Sequence, residues 1–272
     1  MSQSDDMSFL EHLEALRWHL VRSIVAIIFF SILLFINKSF LFDTIIFGPK
    51  QADFWTFQRL CELSEKLNYL LPALIEKEAI CIGQNFPKLQ NLDMSGQFMT
   101  HITVSLIGGL ILAFPYFIWE LWRFIKPALH SGEKKQTTGV VLSTSFLFMS
   151  GVLFGYYIIA PLSVNFFLNY QVSPDVLNSP TLSTYISTVT TIVLACGIVF
   201  ELPILVYFLT KVGVLTPTFL RKYRKHALVA SLILSAIITP PDVFSQCLVA
   251  VPILFLYEIS ILISSVVLKK EK

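Results

Sequence analysis

Between Lys135 and Asp175 this chain carries no charged side chain at all. A helix made from that stretch has no polar face to turn to water, so it must lie in apolar surroundings along its length. Comparable apolar runs fall at about 20–36, 98–120, 184–210, 227–238 and 243–268. Together they take up most of the 272 residues, of which 55% are hydrophobic and only 14% charged. Soluble domains carry about a quarter charged residues. The expected fold class is therefore an all-α integral membrane protein, a single domain over 1–272 with six transmembrane helices.

The loops between the runs set the expected orientation, because Lys and Arg collect on the cytoplasmic side. Arg123, Lys126, Lys134 and Lys135 crowd the segment 121–138, and Lys211, Arg221, Lys222, Arg224 and Lys225 crowd 211–226. The loops at about 162–183 and 239–242 hold neither. Both termini are thus expected inside, and the long segment 37–96 outside. Its Lys38, Lys50, Arg59, Lys66, Lys77 and Lys88 do not contradict that, since a loop this long crosses with little regard to charge.

Residues 1–19 place Phe9, Leu13, Leu16 and Leu20 at helical spacing, which predicts an amphipathic stretch lying on the cytoplasmic surface before the chain turns in. Asp5, Asp6 and Glu11 ahead of the first run, with no small-residue cleavage site after it, favour a retained span over a removable leader. Within 37–96, Phe57, Leu60, Leu63 and Leu67 predict one or two short surface helices interrupted by Pro72. The run 227–238 would make a helix of about 18 Å against about 30 Å of hydrocarbon, so the fifth span is expected to be short.

Several chemistries have no footing here. The chain holds no glycine-rich phosphate loop, no HExxH and no GxSxG. Its four Cys and five His lack metal-ligand spacing, so no metal or cofactor is expected and no enzymatic activity is read. A net charge of +2 is too small to argue for nucleic acid.

What remains is a set of polar side chains in costly places. Glu201, in ACGIVFELPIL, is an ionisable group inside an apolar run. A proton relay, a docking point for a partner and a purely structural hydrogen-bonded carboxyl all fit it. Ser245 and Gln246 offer neutral hydrogen bonds inside the bundle, and Glu258 lies nearer the cytoplasmic end of its run. In WELWRFIKPALHSGEKK, Glu133 is a carboxylate among cations and aromatics, able to receive a basic peptide or simply to stay solvated. Trp18, Trp119 and Trp122 suit the membrane interface, and His12 and His19 share one helical face. Cys61 and Cys81 share the external loop, where an oxidising compartment would permit a disulfide.

Five motifs then occur in order and in matching compartments. They are FLEHLEALRWHL at the start, Gly48-Pro49 after the first run, WRFIKPALHSGEKK after the second, FELP in the fourth and TPPDVFSQ between the last two. On these motifs the chain resembles the TatC family, the polytopic component of the twin-arginine protein translocase. The resemblance covers the chain outside its long first loop, whose 50–96 part departs from the compact family loop. It implies a multi-pass protein of the bacterial cytoplasmic (inner) membrane that receives twin-arginine signal peptides of folded proteins. It implies small single-span TatA- or TatB-like partners, self-association, short fifth and sixth helices, and energy from the proton gradient.

Carried over residue by residue, the resemblance gives Glu133 the arginine pair, with Phe124, Pro127 and Leu129 around it. Arg17 matches the family's HLxELR pattern, whose glutamate falls at Ala15 here. Glu14 stands one residue earlier, about 100° round a helix. Glu201 would face polar residues of partner subunits, with Gln246 beside that contact, and Pro49 and Asp242 match positions in external loops. Two other readings stay open: a proton-coupled secondary transporter with Glu201 as its proton site, and a membrane scaffold without transport.

Overall fold

With neither glycine nor proline between Phe9 and Ile36, a single helix, α1, runs the whole distance. The expected turn between a surface stretch and the first span is absent. Its apolar rhythm passes without a break from the amphipathic part into the fully apolar part, so the backbone has no reason to bend. The structure is a computed structural model describing residues 9–70, 81–83, 86–125, 137–173, 175–176, 178–239 and 243–270. Among these no strand forms, and the one sheet-like contact is an isolated bridge between Gln90 and Thr181.

The remaining helices are α2 (Trp55–Leu70), α3 (Gly96–Ile125), α4 (Thr137–Phe154), α5 (Ala160–Asn169), α6 (Leu182–Val199) and α7 (Leu202–Lys211), then α8 (Pro217–Lys222), α9 (Arg224–Ile238) and α10 (Val243–Lys270). Among the described residues five stretches are long and apolar enough to cross a membrane: Glu14–Ile36, Gly96–Ile125, Gly139–Asn169, Leu182–Lys211 and Gln246–Lys269. At 1.5 Å per residue, α9 reaches only about 22 Å, short of the hydrocarbon thickness. The chain divides into two compact units, one of residues up to Lys38 with His101–Phe146, the other of Ser39–Thr100 with Leu147 onward.

In the first unit, α1 and α3 lie antiparallel. Gly109 makes the close approach: a Cβ there would sit 2.9 Å from the Ile27 carbonyl oxygen. Small residues at such a point let two backbones meet where the apolar effect gives helices no reason to associate. Toward the other end Phe35 stacks on His101 with ring centroids 4.0 Å apart. The antiparallel register brings the first turns of α1 and the last turns of α3 to one end of the hairpin. Much of α1 faces outward, with Val25, Phe29 and Ile36 exposed, as befits a helix in lipid.

The second unit is built around interrupted helices. Pro161 has no N–H for the Tyr157 carbonyl, and the helix widens to a π turn over Gly155–Ile159 before continuing as α5. The hydroxyl of Thr56, at the start of α2, donates to that freed carbonyl. A second π turn, Phe40–Ile46, has two carbonyls capped by tyrosines: Tyr156 donates to Ile45 and Tyr185 to Ile46, each at 2.7 Å. Pro49 lies fully buried in the 3-10 turn Gly48–Lys50 that follows. The third span therefore ends at Asn169 and not near Pro161, because side chains satisfy what the proline leaves open.

Of the long loop, α2 is one helix, with Phe57 buried against Phe86. Cys61 on α2 is joined to Cys81 by a disulfide, Cα to Cα 4.3 Å. Beyond it, α7 and α9 both pack on α10. The α7–α10 seam carries buried Ser260 and Ser264, and Thr210 donates to Ser264 at 2.9 Å. Small hydroxyl residues again let helices close and join across the seam.

Candidate functional site

The polar centre of the first unit is a carboxylate that the sequence reading passed over. Glu120 lies one turn after Tyr116 and just under one turn before Arg123, so a straight helix puts all three on one face. On α1, His19 and Arg22 are likewise three apart. The antiparallel register sets these two faces together. His19 Nδ1 stands 2.5 Å from Glu120 Oε2, and the Tyr116 hydroxyl donates to Oε1 at 3.0 Å. Arg22 Nη1 approaches Oε2 at 3.9 Å and Arg123 Nη1 approaches Oε1 at 3.5 Å.

Glu120 is 1% exposed, whereas Arg22 and Arg123 remain 49% and 48% exposed. A carboxylate is costly to bury unless donors replace its water. Here hydrogen bonds reach both oxygens, and cations stand beyond them. Aromatic rings frame the group: the Arg123 guanidinium lies 4.8 Å from the Trp119 ring centroid, and His19 meets Phe124 edge to face at 6.1 Å.

Two resemblance-derived residues stand close by on the same helix. Glu14 and Arg17 are exposed on α1 and paired at 3.4 Å. Phe124, in the last turn of α3, is half-buried. The hairpin therefore gathers Glu14, Arg17 and Phe124 at its His19–Glu120 end. Glu133, Pro127, Leu129 and Asp242 lie outside the described residues. The signal that would have revealed Glu120 is the matched pair of polar faces, Tyr116/Glu120/Arg123 on one run and His19/Arg22 on the other. Taken separately, each looks like the edge of an apolar run.

Glu201 is placed quite differently. Proline at 203 breaks the fourth span into α6 and α7, and Glu201 occupies the break. Its own carbonyl accepts from Ile204 and Leu205 N–H, at 3.0 Å each. Gly151 allows α4 to press against this bend, since a Cβ there would meet the Cys196 carbonyl oxygen at 2.6 Å and Phe200 Cβ at 2.7 Å. The side chain is only partly exposed, and its Oε1 is buried with no hydrogen-bond partner among the described residues.

Gln246 has an internal use: its Nε2 donates to the Leu232 carbonyl at 3.1 Å, tying α10 to α9. Glu258 pairs with Arg224 at 2.6 Å, both half-exposed. Among the described residues no cluster of three or more His, Cys, Asp or Glu could hold a metal ion.

Comparison with known proteins agrees along the length of the chain. The family model described as Sec-independent protein translocase protein (TatC) matches residues 11–252. A Sec-independent protein translocase protein TatC from Blattabacterium sp. subsp. Periplaneta americana (strain BPLAN) is 41% identical over 270 residues, 99% of each chain. The protein of the same name from Aquifex aeolicus (strain VF5) is 35% identical over 268 residues, 98% of each. A crystal structure of the twin arginine translocase receptor TatC superposes with a TM-score of 0.65 at 33% identity, covering 94% of this chain and 99% of that one.

Proposed function

The chain belongs to the TatC family of Sec-independent protein translocase proteins, and on that footing we propose that it is the signal-peptide receptor and core of a twin-arginine translocase. It is a multi-pass membrane protein. In our reading α9 is a sixth, short span, both termini face the cytoplasm, and the membrane is the bacterial cytoplasmic one. Positive charge on 121–138 and 211–226 supports that orientation.

One observation carries the reading. The antiparallel α1–α3 hairpin puts Glu14 and Arg17 at the same end as Phe124, the last described turn before the segment holding Glu133. A guanidinium pair arriving there meets carboxylates able to form charge-assisted, bidentate hydrogen bonds. The apolar part of the peptide can pass into lipid beside the exposed α1 face. No covalent step is needed; the work is recognition followed by assembly.

Glu201, with an unpaired oxygen in an apolar surrounding, is the proposed contact for polar side chains of small single-span partners, and the proton gradient the proposed source of energy. Full-length protein in nanodiscs, titrated with a twin-arginine signal peptide and a lysine-pair control, tests the receptor role. Preference for arginine that weakens in Glu133→Ala is expected. Equal binding of both peptides by the unaltered protein would refute it.

A further inference from the structure

We propose that Glu120 is a guanidinium socket held shut by the chain's own arginines, and that an arginine of the signal peptide enters it by displacing Arg22 or Arg123. The inference rests on the receptor reading above and adds a specificity-determining residue to it.

The distances carry it. A charge-assisted N–H···O bond has a length of about 2.7–2.9 Å. Among the described residues only His19 and Tyr116 hold Glu120 at hydrogen-bonding range, at 2.5 and 3.0 Å. Arg123 at 3.5 Å and Arg22 at 3.9 Å stand outside that length, near enough to attract but without a completed bond. Both are about half exposed, so either can release Glu120 and regain its water at small cost. The carboxylate itself is covered, and the two guanidiniums form the part of the cover that can leave.

Charge says why entry must be by exchange. One carboxylate already faces two permanent cations and an imidazole, so a third guanidinium added beside them would meet net repulsion. A guanidinium that replaces one of them leaves the charge balance unchanged and can present its planar fork to the oxygens. Trp119, under Arg123 at 4.8 Å, offers the incoming cation the same ring face. Lysine matches neither feature as well, being a compact point charge without the fork. The socket would thus read arginine over lysine from beneath the surface on which Glu14 and Arg17 lie.

The sign of the arginine variants decides the matter. Full-length protein in nanodiscs is titrated with a fluorescent twin-arginine signal peptide and its lysine-pair counterpart. Arg123→Ala and Arg22→Ala remove an incumbent, and at least one is expected to tighten arginine-peptide binding by about threefold. Glu120→Gln removes the charge but leaves one acceptor oxygen, with an amide N–H that can donate to the Tyr116 hydroxyl oxygen. It is expected to cut the arginine preference by about tenfold while lysine-peptide binding changes little. If neither arginine variant tightens binding, the socket is refuted whatever Glu120→Gln does. The arginine variants keep the His19–Glu120 bond, so the test survives a Glu120→Gln protein that fails to fold. Should the unaltered protein not prefer arginine, the receptor reading falls as well. If it prefers arginine and the variants leave that preference untouched, only the socket falls.

Discussion

Glu120 and Glu201 are the same side chain in the same kind of apolar helix, and their surroundings differ in one respect. Glu120 receives a hydrogen bond at each oxygen and has two arginines nearby, all from its own hairpin. Glu201 keeps Oε1 buried without a partner among the described residues. Helix continuity accounts for the difference. An unbroken α3 presents Tyr116, Glu120 and Arg123 as one face to the polar turn of α1. Pro203 breaks the other helix, so Glu201 sits at a bend whose neighbours are Phe200, Leu202 and the α4 backbone near Gly151. A carboxylate bonded at both oxygens by its own hairpin holds that hairpin together and admits an outside group only by exchange, whereas one with an oxygen left short of a donor is open to direct contact from outside the chain.

The largest test of that contrast is removal of the group bonded at both oxygens. Glu120→Ala strands His19 and the Tyr116 hydroxyl, while Arg22 and Arg123, half exposed, can turn to water. A loss of about 3 kcal/mol is expected, in the range for breaking a buried pair from one side. Thermal unfolding in detergent measures it. Unfolding unchanged from the parent protein would mean that the hairpin does not depend on this cluster.

Next in size comes Tyr116→Phe, which deletes one neutral donor to Oε1 and leaves His19 in place. About 1 kcal/mol should be lost. In combination with Glu120→Ala the two losses should fall well short of additive, since both remove the same bond. Full additivity would show that the hydroxyl stabilises something other than the carboxylate.

Gln246→Leu carries the test into the second unit. The amide donates to the Leu232 carbonyl, an internal partner of a kind that Glu201 Oε1 lacks among the described residues. Interhelical hydrogen bonds in membrane proteins average about 0.6 kcal/mol, and a drop of that order in unfolding stability is expected. A large loss of export with no loss of stability would instead move Gln246 into the class of Glu201.

How far the sequence could be read follows from the same distinction between local and paired signals. Helices were legible from the apolar runs, because an uncharged run has nowhere to go but into apolar surroundings as a helix. The break at Phe200–Glu201 was foreshadowed by Pro203. The continuation past Pro161 was not, since it depends on Thr56, more than a hundred residues away, donating to Tyr157. Nor was the unbroken α1, where the change from amphipathic to apolar looked like a boundary yet carries no residue that bends a helix. Glu201 stood out for its charge among apolar neighbours. Glu120 did not, because its meaning lies in His19, a hundred and one residues before it. The Cys61–Cys81 pair was legible as a disulfide that the shared loop permits, and the fold supplies the rest by joining the two cysteines.

The smallest stability change is expected at the residue whose removal should matter most to transport. Glu201→Gln keeps the shape and exchanges a carboxyl short of donors for an amide. With no charged partner to lose, unfolding stability should stay within roughly 0.5 kcal/mol of the parent protein. Export of a twin-arginine reporter should nevertheless fall to a small remnant, if the carboxyl serves groups on another chain. The two readouts separate the alternatives: a partner contact loses export and keeps stability, and an internal bond loses both. A loss of stability as large as that of Glu120→Ala would erase the contrast, for it would mean that Glu201 too is held by its own chain.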